Sequence, residues 1–247
     1  MTYKPPRRID LREIQKEIPA YQPRKLMQLD KRKLGVKMME ELHQENRLQL
    51  TDENENIIHL LLAYFSRDHN FPSMTLPDSP TSFSLYKGIY LYGNPGSGKT
   101  HLMEAFMKTF RKLGSCDSVA EDLRFMKYQW DDVSFQIKEK GSTIINTYGK
   151  SIANGTDKDR PRNYWFDEYS VKKGIKDFGT PVDMNDIFKL RYELFKDHRV
   201  MTHITSNLNP SQLIAEGLPQ KMFSRFMEMF NFIPLGAKDD YTDFRVL

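Results

Sequence analysis

The sequence predicts an α/β fold in which a five-stranded parallel sheet lies between helices. From Tyr86 onward, short apolar runs alternate with longer segments of helical spacing, a pattern typical of parallel sheets with helices on both faces. A glycine-rich loop that joins the first apolar run to the first helical segment is a second sign of this fold class. The predicted strands are 88–92, 123–128, 163–166, 200–206 and 229–234.

Helices are predicted between these strands and before the first of them. Apolar residues at helical spacing follow the glycine-rich loop over 99–113, and one or two helices fit 132–152. Asn209 and Pro210 have the pattern of an N-cap followed by proline at N1, which predicts the start of a short helix. The remaining predicted helices are 182–196, 210–216 and 219–228.

The first 50 residues differ from the rest in their charge. Residues 1–50 hold 12 Lys/Arg and 7 Asp/Glu, whereas the remainder is nearly neutral. Such a basic segment is expected to bind nucleic acid or an acidic protein surface, and a solvated helix face is the alternative. The predicted units are a basic, partner-binding N-terminal arm at 1–50, a helix and linker at 51–85, and the α/β domain at 86–247.

Prolines and apolar spacing subdivide these first two units. Residues 1–33 are expected to be extended, with one short helix, and a second helix is predicted over 34–48. Thr51 is a predicted N-cap for a third helix that runs to about Phe65. Prolines, serines and threonines over 70–84 predict a linker or exposed loop.

The composition excludes several classes of protein. Hydrophobic residues make up 39% and charged residues 28%, which is ordinary for a globular protein. The sequence has no run of 18 apolar residues and no signal-peptide pattern, so neither a membrane span nor export is expected. Cys116 is the only cysteine, which excludes an internal disulfide and a cysteine-rich zinc site and favours a cytoplasmic location.

The glycine-rich loop has the spacing of the phosphate-binding motif G-x-x-x-x-G-K-[ST], between a predicted strand and a predicted helix. Its glycines let backbone N–H groups turn toward an anion, and the helix N-terminus adds partial positive charge. Lys99 can reach the β- and γ-phosphates of a nucleotide, and Thr100 can ligate Mg²⁺. The predicted nucleotide-binding residues here are Gly93, Asn94, Pro95, Gly96, Ser97, Gly98, Lys99, Thr100 and His101.

Two adjacent carboxylates follow the third predicted strand. Asp167 comes 67 residues after Thr100, and Glu168 is next to it. Ligands of open α/β sheets bind at the carboxyl ends of the strands, so both carboxylates are expected near the phosphate loop. Asp167 can hold Mg²⁺ through water beside Thr100, and Glu168 can act as general base toward the attacking water.

Two further residues, Asn207 and Arg225, have two interpretations each. Asn207 follows the fourth predicted strand and can position a catalytic water or form a turn, and we favour the first. Arg225 lies on an otherwise apolar helix. It is either an arginine finger supplied to the nucleotide of a neighbouring subunit or a surface residue paired with Glu228, and spacing alone does not choose. His203 is expected to be a packed strand residue.

Basic and aromatic residues after the second predicted strand suggest contacts to nucleic acid. Lys127, Tyr128 and Trp130 could bind and stack on a DNA strand, whereas packing of the two aromatic residues into the core is the alternative that we favour. Further candidates for salt-dependent phosphate contacts are Lys138, Lys140 and Lys150.

The run from Gly93 to Arg225 resembles the AAA+ ATPases, and within them the bacterial helicase loaders DnaC and DnaI and the transposition helper ATPase IstB. The shared order is GNPGSGKT, YWFDE, a strand ending in TSN, and MFSRFMEMFNFIPL, within about residues 86–247. This resemblance implies a P-loop NTPase fold without a separate helical lid. The implied site residues are Gly96, Gly98, Lys99 and Thr100 in Walker A, Asp167 and Glu168 in Walker B, Asn207 at sensor 1, Arg225 as the arginine finger, and Arg245 in a tail that approaches the nucleotide.

The same resemblance implies a function. We expect an enzyme that binds ATP and Mg²⁺, hydrolyses ATP and forms a head-to-tail homo-oligomer in the ATP state. The leading hypothesis is a DNA replication helicase loader whose N-terminal arm binds the replicative helicase and whose ATPase domain binds single-stranded DNA. The alternative is an IstB-like helper that binds duplex DNA and recruits a transposase. A small-molecule kinase is a third hypothesis, and Asp167, Glu168 and Arg225 argue against it.

Overall fold

The computed structural model describes residues 27–45, 52–76, 82–114, 118–150, 162–171, 176–177, 180–181 and 183–236. Most of the predicted basic arm lies outside these residues. The same is true of the predicted cap Thr51, of Cys116 and of the predicted nucleotide contact Arg245.

Parallel strands form the centre of the described structure. The strands are β1 Gly88–Tyr92, β2 Phe125–Gln129, β3 Asn163–Tyr169, β4 Lys176–Asp177, β5 Thr180–Pro181, β6 Thr202–Ser206 and β7 Phe230–Pro234. Five of them form one sheet in the order β2-β3-β6-β1-β7, and each neighbouring pair is parallel. The predicted five-stranded parallel sheet is therefore confirmed. The short strands β4 and β5 pair with each other and are antiparallel.

Helices cover both faces of the sheet. They are α1 Lys31–Glu45, α2 Asp52–Phe65, α3 Lys99–Leu113, α4 Ser118–Leu123, α5 Trp130–Lys140, α6 Thr143–Gly149, α7 Asn185–His198, α8 Pro210–Ala215 and α9 Gln220–Met229. Asn209 caps α8 through a reciprocal pair of bonds with Gln212, as the Asn-Pro pattern predicts. Within the described residues, every helix is too short or too polar to cross a bilayer.

Strand β1 is buried along its whole length, and its alternate side chains enter two different cores. On β1, Ile89 and Leu91 join one hydrophobic cluster, whereas Tyr90 and Tyr92 join the other. This follows from the two-residue period of a strand. Burial on both faces is typical of the central strands of a parallel sheet, and it explains the apolar sequence of β1.

The helices before the sheet cover one of its faces. Leu34 and Met38 of α1 are fully buried in the same cluster as Phe106 and Phe110 of α3. The ring of Phe65, at the end of α2, lies 4.4 Å from that of Phe106. One hydrophobic core therefore continues across the predicted boundary at residue 86.

The structure adds α4, β4 and β5, which were not predicted, and shifts the bounds of several predicted elements. Helix α1 begins at Lys31, three residues before the predicted start. Helix α5 begins at Trp130 because this side chain is buried in the core as soon as β2 ends. Strand β3 continues past the predicted end at 166 to Tyr169, with an irregular register between Phe166 and Tyr169.

Candidate active site

A cavity of about 230 Å³ opens at the carboxyl ends of the strands. The sheet order places β6 between β1 and β3, so the residues that follow these three strands meet at one edge. Of the residues predicted to bind nucleotide, the lining includes Pro95, Gly96, Gly98, Lys99, Thr100, His101, Asp167, Glu168 and Asn207. Three lining residues were not predicted: Gln129, Thr205 and Ser206.

The phosphate loop is anchored between the ends of β6 and β7. The Gly93 N–H donates to the Ser206 carbonyl at 3.2 Å, and the Leu235 N–H donates to the Tyr92 carbonyl at 2.7 Å. A Cβ on Gly93 would lie 1.8 Å from the Leu235 carbonyl oxygen, so only glycine allows this close approach. The start of the loop is thus held against the ends of β6 and β7.

Lys99 lies folded over the loop that precedes it. Its ammonium donates to the Gly93 carbonyl at 2.9 Å, the Asn94 carbonyl at 2.7 Å and the Ser97 hydroxyl at 3.3 Å, and the residue is buried. Gly98 is the N-cap of α3, in the left-handed conformation and without a side-chain cap. The backbone N–H groups at the start of a helix then remain available to an anion.

Thr100 and Asp167 are in direct contact. The Thr100 hydroxyl donates to Asp167 Oδ1 at 2.8 Å, and Asp167 is completely buried. A hydroxyl and a carboxylate beside a phosphate loop are the oxygen ligands that Mg²⁺ takes in nucleotide sites, where water and phosphate oxygens complete the shell. In the described residues no cluster of three or more acidic, His or Cys side chains could hold a metal. The Thr100 hydroxyl and the Asp167 carboxylate are a donor pair that fits a nucleotide-bound Mg²⁺ ion.

Strand β3 bulges at the two carboxylates and separates their side chains. Phe166 pairs with Ile204 and Tyr169 with Ser206, so Asp167 and Glu168 both lie opposite one residue of β6. Glu168 has a φ of +58°, in the left-handed region that non-glycine residues rarely adopt. The bulge keeps Asp167 buried and leaves Glu168 exposed at the cavity.

Thr205 is the β6 residue opposite this bulge. Its hydroxyl donates to Asp167 Oδ1 and accepts from the Trp165 indole at 3.1 Å and from the Glu168 N–H at 3.4 Å. One hydroxyl therefore orients the buried carboxylate and stabilises the bulge that exposes Glu168. In the sequence, the feature that could have identified Thr205 is its position directly before Ser206 and Asn207, at the end of a predicted strand.

Gln129 and His101 have buried polar atoms that face this region. Gln129 Oε1 and His101 Nδ1 are shielded from solvent and have no hydrogen-bond partner among the described residues. Gln129 is the last residue of β2 and pairs with Asp167 in the sheet register. Buried polar atoms are normally paired, so these two are suited to receive a ligand or its water. A polar residue at the end of a strand was the available sequence signal.

The predicted sensor and the capped turn follow β6. Asn207 is exposed and lines the cavity. The Ser206 hydroxyl donates to the Tyr169 carbonyl at 2.7 Å and accepts from the Leu208 N–H at 3.0 Å. These bonds position the backbone of Asn207, so its amide is presented by a rigid strand end.

Arg225 is not among the residues that line the cavity of its own chain. It lies on α9, where its guanidinium sits 4.8 Å from the centre of the Tyr192 ring on α7. The Tyr192 hydroxyl donates to Glu228 at 2.6 Å. The structure therefore does not bring Arg225 to the predicted site within one subunit.

The residues at 127–130 that were considered for DNA binding contact other parts of the protein. Trp130 is buried and donates to the Ser170 carbonyl at 2.8 Å, so the packing alternative is correct for it. Lys127 forms ion pairs with Glu104 and with Asp167 Oδ2, the latter at 3.0 Å, which contradicts a nucleic-acid contact at this residue. Burial lowers the pKa of Lys127, but the bonds to these two carboxylates outweigh burial and leave the pKa raised.

His203 and Arg191 are buried at the other end of the sheet. His203 Nδ1 accepts from the Ile89 N–H at 3.1 Å, as expected for a packed strand residue. Burial, with a smaller contribution from the charge of Arg191, lowers the pKa of His203 to about 3. Burial also lowers the pKa of Arg191 to about 10.

Comparisons with known proteins agree with this geometry. A family model described as AFG1-like ATPase matches residues 72–234. The uncharacterized protein C115.02c of Schizosaccharomyces pombe (strain 972) is 28% identical over 181 residues, which cover 68% of this chain and 36% of that protein. The chain thus spans about a third of the length of this curated relative.

Several solved structures of replication proteins are similar in fold. DnaI is 14% identical over 86% of this chain and 94% of its own, with a TM-score of 0.48. The DnaC helicase loader is 16% identical over 76% of this chain and 92% of its own, with a TM-score of 0.45. DnaA of Aquifex aeolicus bound to AMPPCP is 18% identical over 76% of this chain and 48% of its own, with a TM-score of 0.45.

The family match covers more than half of the chain, and it includes the phosphate loop, both carboxylates of β3 and the helix that carries Arg225. The chain therefore belongs to the AFG1-like ATPase family and is an AAA+ ATPase.

Proposed function

We propose that this ATPase hydrolyses ATP in the cavity at the carboxyl end of the sheet and that a neighbouring copy completes the site. Lys99 binds the β- and γ-phosphates, and Thr100 and Asp167 hold Mg²⁺. The observation that carries the proposal is the bulge of β3, because it buries Asp167 against Thr100 and exposes Glu168 to the same cavity.

The chemistry needs one base and one water molecule. Glu168 accepts a proton from the water as its oxygen bonds to the γ-phosphorus and the bond to the β–γ bridging oxygen breaks, which yields ADP and phosphate. Asn207 orients the water through its side-chain amide. Mg²⁺ supplies neutralisation of the charge that develops on the phosphate oxygens. The N-terminus of α3 and Lys99 add positive charge at the same place.

Arg225 is proposed to act on the nucleotide of the neighbouring subunit. It is partly exposed and stacks on Tyr192, away from the cavity of its own chain. Helix α9 continues directly into β7, which pairs with β1, so its position is coupled to the strand that precedes the phosphate loop. Fingers of this kind contribute about 10³–10⁵ in rate in some GTPases.

The role of Glu168 is tested by removing its basicity. We expect Glu168→Gln to lower phosphate release by about 10²–10⁴-fold, the range for a general base, with ATP binding retained. Glu193→Gln is the matched control, since Glu193 is an exposed carboxylate on α7. A Glu168→Gln protein that hydrolyses ATP at the wild-type rate would show that another group activates the water.

The shared site is tested by mixing two inactive variants. Arg225→Ala keeps its own phosphate loop, and Lys99→Ala keeps its own Arg225, so a mixture can form complete sites only between subunits. We expect the mixture to recover phosphate release that neither variant has alone. Lys221→Ala, an exposed residue on the same helix, is the control and should keep its activity. No recovery over a range of mixing ratios would contradict the assignment of Arg225.

A replicative helicase is the partner that we propose, with single-stranded DNA bound by the oligomer in the cytoplasm. The support is the sequence resemblance to helicase loaders and the surplus of Lys/Arg in residues 1–50. The proposal is tested by capture with the full chain carrying Glu168→Gln in the presence of ATP. Recovery of a replicative helicase supports it, and recovery of a transposase together with duplex DNA favours the IstB-like alternative. Phosphate release without a small acceptor argues against the kinase.

A further inference from the structure

The predicted Mg²⁺ ligand Asp167 forms a cluster of three charged side chains with Lys127 and Glu104. Lys127 Nζ lies 3.0 Å from Asp167 Oδ2 and also pairs with Glu104, one helical turn after Thr100 on α3; its bond to Glu104 is 2.6 Å long. The side chains of Lys127 and Glu104 are 22% and 24% exposed, and that of Asp167 is 0% exposed. We call these three residues the counter-ion cluster. No predicted role includes Glu104, and the role predicted for Lys127 was a different one.

The cluster divides the two oxygens of Asp167 between different partners. Oδ1 accepts from the hydroxyls of Thr100 and Thr205, whereas Oδ2 faces Lys127. The Lys127 ammonium also lies 4.9 Å from the centre of the Trp165 ring, so one side of the pair is apolar. Charges in such a setting interact more strongly than on the surface.

A completely buried carboxylate needs a positive partner, because an uncompensated charge in the interior costs several kcal/mol. Lys127 is the cation that the structure places on Asp167. Mg²⁺ at Thr100 and Asp167 would supply a second cation to the same carboxylate. The two cations repel each other, and Glu104 offers Lys127 a second anchor that does not involve Asp167.

We propose that Lys127 is the resident counter-ion of Asp167, that Mg²⁺ replaces it there, and that Glu104 retains it when Mg²⁺ binds. Lys127 is then a positioning residue that sets the Mg²⁺ affinity of the nucleotide site. This inference rests on the proposed function, in which Asp167 holds Mg²⁺.

The proposal predicts effects of opposite sign from the two outer members of the cluster. Lys127→Met removes the competing cation and makes the site more negative, so Mg²⁺ should bind more tightly. Glu104→Gln removes the second anchor and leaves Lys127 with Asp167 alone, so Mg²⁺ should bind more weakly. Lys127→Arg keeps the charge and should stay near wild type. A role in packing alone would weaken Mg²⁺ binding in all three variants.

The test is a titration of Mg²⁺ in the presence of a saturating non-hydrolysable ATP analogue. The temperature of the unfolding midpoint is measured at each Mg²⁺ concentration, and its rise gives the half-saturating Mg²⁺ concentration. We expect the half-saturating Mg²⁺ concentration to fall about fivefold in Lys127→Met and to rise about fivefold in Glu104→Gln, as expected for a one-charge change near a divalent ion in a partly buried site. Binding of the same analogue in EDTA should change less than twofold. Phosphate release is a separate readout.

The matched control is the surface pair Lys37 and Glu40, which are 2.8 Å apart and about half exposed. Lys37→Met and Glu40→Gln carry the same charge changes and should leave the half-saturating Mg²⁺ concentration unchanged, because surface pairs have little energetic effect. If Lys127→Met does not fold, the result for Glu104→Gln decides. A half-saturating Mg²⁺ concentration of Glu104→Gln equal to that of wild type overturns the proposal.

One further variant separates the two levels of inference. If Asp167→Asn keeps the wild-type half-saturating Mg²⁺ concentration, the proposed metal role of Asp167 is wrong, and the counter-ion role of Lys127 fails with it. If Asp167→Asn loses the response to Mg²⁺ while Lys127→Met and Glu104→Gln match wild type, the counter-ion role alone is wrong.

Discussion

At the amino end of the sheet, Arg191 is completely buried, and its guanidinium donates to the Thr202 hydroxyl at 2.9 Å, to the Arg162 carbonyl at 3.1 Å and to the Met201 carbonyl at 2.8 Å. At the carboxyl end, Lys99 is buried as well, but its partners are the carbonyls and a hydroxyl of the phosphate loop. The Arg191 guanidinium links β6 to the segments that precede β3 and β6. The Lys99 ammonium instead lies where a bound phosphate would compete with the loop for its hydrogen bonds.

The neutral polar groups show the same difference between the two ends. Asn231, near the start of β7, bonds to the backbone of Ser84 and Lys87 and to the Gly88 carbonyl. Gln129 and His101, at the other end, have buried atoms that no described residue satisfies. We expect Asn231 to contribute to stability because the chain satisfies it, and the unsatisfied atoms of Gln129 and His101 to be available to a ligand.

The largest effect on stability is expected from Arg191. Arg191→Met removes the donors to the buried Thr202 hydroxyl and to two part-buried carbonyls. We expect the free energy of unfolding to fall by about 3–5 kcal/mol, the usual cost of breaking a buried polar network. Urea denaturation without nucleotide measures it. Lys189→Met on the same helix is exposed and should change stability by less than about 0.5 kcal/mol. A loss below about 1 kcal/mol for Arg191→Met would remove the contrast between the two ends.

The second effect is a dependence of stability on pH that comes from His203. Its pKa is about 3 in the folded protein and 6.5 as the unperturbed value, so below pH 6.5 the unfolded chain binds a proton that the folded protein does not. Stability therefore falls as pH falls, and we expect a loss of about 2 kcal/mol between pH 7.5 and pH 5 from this residue.

The variant His203→Gln isolates this contribution, because glutamine keeps an acceptor for the Ile89 N–H and does not titrate. The pH dependence of wild type minus that of the variant removes the groups that both proteins share. Identical slopes for the two proteins over this range would mean that His203 is protonated without cost when folded.

The smallest effect comes from the strained backbone at Glu168. Glu168→Gly relieves a φ of +58°, and we expect stability to rise by about 1 kcal/mol while phosphate release is lost. Arg199, with a φ of +55°, is the left-handed control remote from the cavity lining, and Arg199→Gly should keep phosphate release. A destabilised Glu168→Gly protein would show that the bulge is not a site of strain, and the carboxyl end would then resemble the amino end.

Local patterns predict much of this molecule. The strand at 88–92, the loop and the helix at 99–113 have the predicted bounds, because apolar runs, glycines and helical spacing act over a few residues. Asp167 and Glu168 are also predicted from a local pattern. They follow a buried strand, and the carboxyl end of that strand lies at the same edge of the sheet as the end of β1.

Contacts between distant segments decide the rest. The bulge at Glu168 depends on Thr205 in another strand, and the charge partners of Asp167 come from α3 and β2. Lys127 illustrates the limit, because its sequence neighbours suggested a DNA contact whereas the sheet register turns it toward Asp167. The sequence by itself determined the five strands of the parallel sheet to within three residues, the phosphate loop and the class of chemistry. Only the tertiary structure decided which polar groups are satisfied within the chain, because their partners lie far apart in sequence and meet only when the sheet forms.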